Sequence, residues 1–137
     1  MNRRHFIALG SATLILPTTG LSAAPLDYTP GMVEDRLAKG ETVFLDFKAS
    51  WCSTCKAQEK VLTKLKAANP AYEQAVTFVN VDWDDYGKSD LARSLRIPRR
   101  STLVVLKGNR EIGRLVAETR EGQIKMLMDA ALGAATA

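Results

Sequence analysis

Histidine and cysteine are scarce in this chain of 137 residues, which has one His and two Cys. Two cysteines cannot form the disulfide framework that stabilises many small secreted domains. One His and two Cys also cannot provide the four ligands of a structural zinc site within a single chain. The sequence therefore excludes both of these classes, and it leaves the two cysteines as the candidates for chemistry.

The chain also lacks an extreme composition. Apolar residues make up 46% of it and charged residues 25%, which is typical of a globular domain and not of a disordered one. Its length fits one domain with one hydrophobic core. A net charge of +4 is small for a nucleic-acid-binding protein, which needs clustered positive charge. We expect a single monomeric domain that binds no nucleic acid.

The first 24 residues have the layout of an export signal. A basic pair, Arg3-Arg4, precedes the apolar stretch from Phe6 to Leu16, and small residues follow at positions 22–24. The apolar stretch is shorter than the ~20 residues that a membrane-spanning helix needs. Residues 3–7 resemble a twin-arginine signal, although Asn2 departs from the usual pattern. The general secretory route and an uncleaved anchor therefore remain alternatives.

Cleavage of this signal near residues 22–24 would leave a periplasmic domain of residues 25–137. The removed segment contains two of the 19 basic residues and none of the 15 acidic ones, so the net charge falls from +4 to +2. It also contains His5, the only histidine of the chain. We therefore expect the mature protein to have no imidazole base.

Apolar periodicity and turn residues predict the element order α-β-α-β-α-β-β-α. Strands that are connected through helices must be parallel, and the final hairpin must be antiparallel. The sequence thus predicts an α/β fold with a mixed four-stranded sheet and helices on both faces. The predicted helices begin at Thr29-Pro30, after Cys52, at Ser89 and at Thr119, and the predicted strands cover Thr42–Phe47, Val76–Val81, Thr102–Leu106 and Ile112–Val116.

The two cysteines, Cys52 and Cys55, lie where a predicted buried strand meets a predicted helix. The unpaired N–H groups and the dipole at a helix N-terminus stabilise a thiolate. The i, i+3 spacing brings both sulfurs to one side of the first turn, within reach of a disulfide. We expect Cys52 to be exposed and to attack a substrate disulfide, and Cys55 to resolve the mixed disulfide. An inert pair or half of a shared metal site is the alternative.

Asp46 interrupts the apolar run from Val43 to Phe47 in the same predicted strand. A carboxyl group buried there should have a raised pKa, which suits proton transfer near neutral pH. A solvent-facing carboxylate is the alternative.

The stretch LDFKASWCSTCK, residues 45–56, resembles the strand–Trp-Cys-x-x-Cys–helix unit of the thioredoxin superfamily, and the resemblance extends from about Thr29 to Leu132. It implies a thioredoxin-like fold and a thiol–disulfide oxidoreductase that needs no cofactor or metal. It also implies that Cys52 is the nucleophile, that Cys55 is the resolving thiol and that Trp51 is the flanking aromatic residue.

The resemblance gives Asp46 a role as well, because thioredoxins have a buried acid at this position that takes the proton of the resolving thiol. Members of the family also have a lysine near that acid, whereas alignment places Phe78 there. We expect a drier pocket, which would raise the pKa of Asp46 further.

Thioredoxins have a cis-proline opposite the cysteines, in a loop that pairs with substrate. Ile97-Pro98 fits that motif, but three residues separate it from the predicted strand that begins at Thr102. Alignment on the strand places Ser101 opposite the disulfide. A cis bond before a non-proline residue costs ~2.5–4 kcal/mol, so we expect a trans or strained loop. Trp51, Pro98, Ser101 and Thr102 are the predicted substrate-binding residues.

The sequence therefore predicts an exported thiol–disulfide oxidoreductase that reduces disulfides in periplasmic proteins. Strong oxidants of the superfamily usually have a His between the two cysteines, whereas Ser53-Thr54 adds no charge. The motif is also similar to the periplasmic C-terminal domain of the membrane thiol transporter. The implied partners are a disulfide-containing protein substrate and a membrane or periplasmic thiol donor. The alternatives are a disulfide oxidant or isomerase, and a non-catalytic binding or chaperone module.

Overall fold

The structure is a computed structural model, and it describes residues 24–137. The predicted export signal lies outside the described residues, except for Ala24. Between residues 24 and 137, no helix is both long enough and apolar enough to cross a membrane.

In the described part of the chain, five strands form one mixed sheet in the order β1-β3-β2-β4-β5. Strands β1, β3 and β2 run parallel, and β4 is antiparallel to both β2 and β5. The strands are β1 (Leu26–Asp27), β2 (Thr42–Lys48), β3 (Val76–Asp82), β4 (Thr102–Lys107) and β5 (Arg110–Val116). The central position of β2 places its C-terminal end, and the cysteines that follow it, in the middle of one edge of the sheet.

The prediction of four strands is wrong by one, because β1 adds a short parallel strand next to β3. It pairs Leu26 with Val79 and Asp27 with Asn80. Two residues are too few to show the alternation of apolar and polar residues that identifies a strand. The predicted α/β class and the mixed character of the sheet are confirmed.

Six helices within residues 24–137 cover the sheet. Because side chains alternate along a strand, Val43, Leu45 and Phe47 of β2 face one core cluster and Phe44 faces the other. The helices are α1 (Met32–Ala38), α2 (Ser53–Ala68), α3 (Ala71–Ala75), α4 (Trp83–Tyr86), α5 (Asp90–Ser94) and α6 (Glu121–Thr136). Residues of α1 and α5 pack in the first cluster, and residues of α2, α3 and α6 pack in the second.

Two of the short helices were not predicted from the sequence. Helix α3 follows Asn69-Pro70, and α4 lies between the predicted strand Val76–Val81 and the predicted helix that begins at Ser89. Both have five residues or fewer, so they are too short to show a helical period.

Two predicted helix starts are wrong, and two are confirmed: Ser89 and the start of α2 directly after Cys52. Helix α1 begins at Met32 with Gly31 as its N-cap, and not at Thr29-Pro30. Helix α6 begins at Glu121 with Arg120 as its N-cap, so Thr119 does not cap it. There the Glu118 carboxylate accepts a hydrogen bond from the Arg120 backbone N–H at 2.9 Å. Ser89 caps α5 as predicted.

Candidate active site

Cys52 is both the N-cap residue of α2 and one half of a disulfide with Cys55. The two Cα atoms are 5.3 Å apart, which is normal for a disulfide. The Cys52 Sγ also accepts a hydrogen bond from the Cys55 backbone N–H at 3.1 Å. The first turn of the helix thus directs a backbone donor at this sulfur, as expected for a cysteine at a helix N-terminus.

The prediction of an exposed Cys52 is wrong. Its exposed fraction is 3%, against 1% for Cys55. The two cysteines pack in a small cluster with Ala49, and the partly buried Trp83 lies against that cluster. This cover could not be predicted from the sequence, because Trp83 comes from α4, some 30 residues further along the chain.

Trp51 remains accessible next to the buried disulfide, with an exposed fraction of 57%. Its indole N–H donates to the Asp84 carboxylate, at 3.0 and 3.1 Å from the two oxygens. The Arg100 guanidinium lies 4.5 Å from the ring centroid, within the range of a cation–π interaction. Trp51 is therefore held from two sides while it presents an aromatic surface beside the site.

Ser101, and not Pro98, lies against the disulfide. Its Oγ is 3.1 Å from the Cys52 Sγ and 3.2 Å from the Cys55 Sγ. Pro98 is exposed, three residues earlier in the loop. No cis peptide bond occurs between residues 24 and 137, and Ser101 has a φ of 61°. The peptide bonds of the loop are therefore trans. The loop is also locally strained, because a non-glycine residue is disfavoured in this left-handed region.

The backbone of Ser101 is fixed by three hydrogen bonds within the protein. Its N–H donates to the Phe47 carbonyl at 2.7 Å, and its carbonyl accepts from the Ala117 N–H at 2.8 Å. The same carbonyl accepts from the Gln58 Nε2 at 2.9 Å. These bonds hold the strained residue in place, and they leave neither its N–H nor its carbonyl free to pair with a substrate strand.

Gln58 is a site residue that the sequence reasoning missed. It is fully buried, and its Nε2 also donates to the Glu118 carbonyl at 3.1 Å. A signal was present in the sequence, because Gln58 continues the helical spacing of Leu62 and Leu65 on the buried face of α2. A polar residue on such an apolar stripe needs buried hydrogen-bond partners.

Thr102, which was predicted to bind substrate, has a buried side chain. The residue is fully buried at the start of β4, where it pairs with Phe47 of β2 and Val116 of β5. Its hydroxyl donates to the Arg99 carbonyl at 2.7 Å. Thr102 therefore shapes the loop before Ser101, and its side chain is not available to a substrate.

Asp46 is buried, as predicted, with an exposed fraction of 5%. Burial raises the pKa of this carboxyl group to about 7, and the negative charge of Glu59 adds to the effect, while the positive charges of Lys48 and Lys66 oppose it. Its Oδ1 has no hydrogen-bond partner in the described part of the chain. The group can therefore hold or release a proton near neutral pH.

A cavity of about 480 Å³ lies beside Asp46, and Phe78, Lys66, Lys48 and Glu59 also line it. The Lys66 Nζ lies 4.0 Å from the centroid of the Phe78 ring. The predicted absence of a lysine near Asp46 is therefore wrong: Phe78 is there, but α2 brings Lys66 over it. Burial lowers the pKa of Lys66, and the nearby Glu73 and Asp46 charges oppose that shift.

A second cavity, of about 610 Å³, lies beside Cys55. Lys48, Glu59 and Asn80 line both cavities. The Lys48 Nζ and the Glu59 carboxylate form an ion pair at 2.9 Å. Polar groups shared by the two cavities thus connect the surroundings of Cys55 with those of Asp46.

A disulfide at the start of a helix, directly after the central strand of a mixed sheet, defines the class of thioredoxin-like proteins. A family model described as Thioredoxin matches residues 27–130. The chain therefore belongs to the thioredoxin family.

Individual relatives agree with this assignment. The chain is 33% identical over 79 residues to Thioredoxin H2-1 of Oryza sativa subsp. japonica, a match over 58% of this chain and 53% of the relative. It therefore spans about half the length of that relative. It is also 33% identical over 85 residues to a thioredoxin of Echinococcus granulosus, a match over 61% of this chain and 74% of the relative.

Solved structures show the same fold. Trxlp from Edwardsiella tarda has 30% sequence identity and a TM-score of 0.63, over 77% of this chain and 96% of that one. The thioredoxin Mala s 13 of Malassezia sympodialis has 23% identity and a TM-score of 0.62, over 82% and 98% of the two chains.

Proposed function

We propose that this protein is an exported thiol–disulfide oxidoreductase that reduces disulfides in periplasmic proteins. The single observation that carries the proposal is the Cys52–Cys55 disulfide at the N-terminus of α2, with the Cys55 N–H directed at the Cys52 sulfur. Membership of the thioredoxin family supports it. No cofactor is needed, because the two cysteines themselves carry the two electrons.

In the first step, the Cys52 thiolate attacks one sulfur of a substrate disulfide. A mixed disulfide forms, and the other substrate sulfur leaves as a thiolate that takes a proton from water. The N-terminus of α2 stabilises the attacking thiolate through the Cys55 N–H. Trp51, exposed beside the disulfide, offers an apolar surface to the arriving substrate.

In the second step, Cys55 resolves the mixed disulfide. Its thiol gives a proton to the Asp46 carboxylate, and its sulfur then attacks Cys52 and releases the second substrate thiolate. With a pKa of about 7, Asp46 is partly ionised at neutral pH and can accept this proton. Lys48 and Glu59 line both the cavity beside Asp46 and the cavity beside Cys55, so polar groups lie between the two proton-exchanging residues.

The cycle transfers two electrons from the cysteine pair to the substrate, so a thiol donor must reduce the Cys52–Cys55 disulfide again. A membrane protein or another periplasmic thiol protein would fill this role. We favour the reducing direction because Ser53 and Thr54 place no positive charge between the cysteines. Of the predicted substrate-binding residues, Trp51 is exposed, and the Ser101 hydroxyl lies 3.1 Å from the Cys52 sulfur.

Trapping of the mixed disulfide tests the proposal. In the variant Cys55→Ser the second step cannot occur, so we expect substrate proteins from a periplasmic extract to remain bound to Cys52 until dithiothreitol releases them. The matched control is the double variant Cys52→Ser/Cys55→Ser, which should capture none of them. Absence of any dithiothreitol-releasable protein in the single variant would contradict the proposed protein substrates.

Export rests on the sequence of residues 1–24 and is tested separately. We expect N-terminal sequencing of the protein from a periplasmic fraction to begin between residues 23 and 25. Replacement of Arg3 and Arg4 by lysine should abolish export if the twin-arginine route is used, and should leave it intact if the general secretory route is used. A full-length chain retained in the cytoplasm or the membrane would contradict the proposed location.

A further inference from the structure

The loop before β4 places a hydroxyl group where the family pattern has a proline. The Ser101 Oγ is within hydrogen-bond distance of both sulfurs, 3.1 Å from Cys52 and 3.2 Å from Cys55. Within residues 24–137 it has no other hydrogen-bond partner. Ser101 is fully buried, so water does not compete for the hydroxyl. A proline at this position would offer the sulfurs no donor.

Three backbone hydrogen bonds keep this hydroxyl in place. Phe47, Ala117 and Gln58 bind the N–H and the carbonyl of Ser101. They come from β2, from the segment after β5 and from α2, so three separate parts of the fold determine the position of one strained residue. The Oγ is thus fixed before any change in the redox state of the cysteines.

We propose that the Ser101 hydroxyl donates a hydrogen bond to the Cys52 thiolate of the reduced protein and so stabilises the reduced form of the redox pair. A disulfide sulfur is a weak acceptor, whereas a thiolate is a charged and much stronger one. The same contact therefore gains strength when the disulfide is reduced. This inference rests on the proposed function, because it concerns the thiolate that attacks the substrate.

The hydroxyl has one proton and two lone pairs, so it can serve both sulfurs at once. It donates its proton to the Cys52 thiolate, and it accepts a hydrogen bond from the Cys55 thiol. This arrangement leaves the negative charge on Cys52, where the Cys55 backbone N–H also donates. It keeps the remaining proton on Cys55 until the mixed disulfide has formed.

The test is the equilibrium constant of the purified protein with reduced and oxidised glutathione, measured at pH 7 for the wild type and three variants. Ser101→Ala and Ser101→Gly remove the hydroxyl, and glycine also tolerates the positive φ of this position. Ser101→Thr keeps a hydroxyl. We expect both hydroxyl-free variants to be about tenfold harder to reduce, which corresponds to about 30 mV for a two-electron couple. We expect Ser101→Thr to remain within about twofold of the wild type, a difference of about 0.4 kcal/mol.

The thiolate absorbance near 240 nm provides a second measurement. The pKa of the Cys52 thiol should be higher in the alanine and glycine variants than in the wild type and the threonine variant. Unchanged equilibrium constants in Ser101→Ala and Ser101→Gly, or an equal shift in all three variants, would overturn the inference while leaving the proposed function intact. Failure of the wild type to exchange with glutathione at all would instead overturn the proposed function.

Discussion

Two segments meet at the disulfide, and they are built in different ways. The cysteine segment, residues 45–56, joins β2 to α2, and its geometry follows from neighbouring residues: a strand end, an N-cap and the first helical turn. The serine loop, residues 96–101, has two residues with positive φ, Arg96 and Ser101. It is held by hydrogen bonds from distant parts of the chain.

The cysteine segment provides the reacting groups, whereas the serine loop modifies their properties. The cysteine segment contains the sulfurs and the buried acid, so changes there should abolish a step of the reaction or change the proton balance of the fold. The serine loop contributes the Ser101 hydroxyl and the backbone that positions it. Changes there should therefore alter the redox and folding equilibria by smaller factors.

The largest effect is expected from the variant Cys52→Ser. Without its nucleophile the protein should lose at least about 10³-fold of its rate of insulin disulfide reduction. Ser53→Ala, at an exposed neighbour on the same helical turn, is the matched control and should retain activity. A Cys52→Ser protein that supports the biological role of the wild type would favour the binding or chaperone alternative.

The next largest effect is a gain in stability, which we expect from the variant Asp46→Asn. Because burial raises the pKa of Asp46 from 3.8 to about 7, the folded state loses stability as the pH rises through this range. Asp46→Asn removes this loss and should stabilise the protein by up to about 4 kcal/mol above pH 7, but by little near pH 4. Urea unfolding at pH 4.5 and pH 8 measures the difference.

Asp35→Asn is the control for this experiment, since Asp35 is exposed on α1. It should change the free energy of unfolding by less than about 0.5 kcal/mol at either pH. An equal effect of Asp46→Asn at both pH values would show that the carboxyl group does not titrate near neutral pH in the folded protein.

The variant Asp46→Asn should also slow the second step of the reaction, in which Cys55 resolves the mixed disulfide. Without a carboxylate to accept the Cys55 proton, resolution of the mixed disulfide should be about 10²-fold slower. Rapid-quench experiments with a peptide disulfide should show the Cys52 mixed disulfide accumulating in Asp46→Asn and not in Asp35→Asn. No accumulation would remove Asp46 from the proposed mechanism.

The serine loop should be loosened by Gln58→Leu. This change removes the hydrogen bonds to the Ser101 and Glu118 carbonyls, and we expect a loss of about 1–3 kcal/mol in the free energy of unfolding. Hydrogen exchange of the Ala117 N–H, which also binds the Ser101 carbonyl, should become faster. Gln74→Leu, at an exposed position on α3, is the control. Unchanged stability and exchange in Gln58→Leu would show that the loop holds its shape without this residue.

The smallest effect is expected from Lys66→Met. The positive charge of Lys66 lowers the pKa of Asp46, so its removal should move that pKa above its wild-type value of about 7. Carbon-13 NMR titration of the Asp46 carboxyl group measures the shift. Lys64→Met, at an exposed position where the lysine pairs with Glu121, should leave it unchanged. A lower pKa in Lys66→Met would contradict the assigned role of this lysine.

The cysteine segment could be predicted almost completely from the sequence, because its structure depends on local signals. The apolar run of β2, the spacing of Cys52 and Cys55, and the polar interruption at Asp46 together indicated a strand, a helix start and a buried acid. The exception was the burial of Cys52, which depends on Trp83 of α4.

The serine loop could be predicted only in part. The register of β4 correctly indicated that Ser101 would lie opposite the disulfide. Its bonds to Gln58 and Ala117 and the inward hydroxyl of Thr102 depend on contacts between residues far apart in the sequence. No local pattern encodes such contacts, and the same holds for Lys66, which reaches Asp46 from a different element.

The reduction potential of the Cys52–Cys55 pair decides whether the protein acts as a disulfide reductant. It can be measured by equilibrating the purified protein with redox buffers and quantifying the two forms by mass spectrometry. We expect a two-electron couple near −270 mV, in the range of thioredoxin-type reductants. A value near −120 mV would make the protein an oxidant and contradict the proposed direction, and a disulfide that does not exchange would contradict the account as a whole.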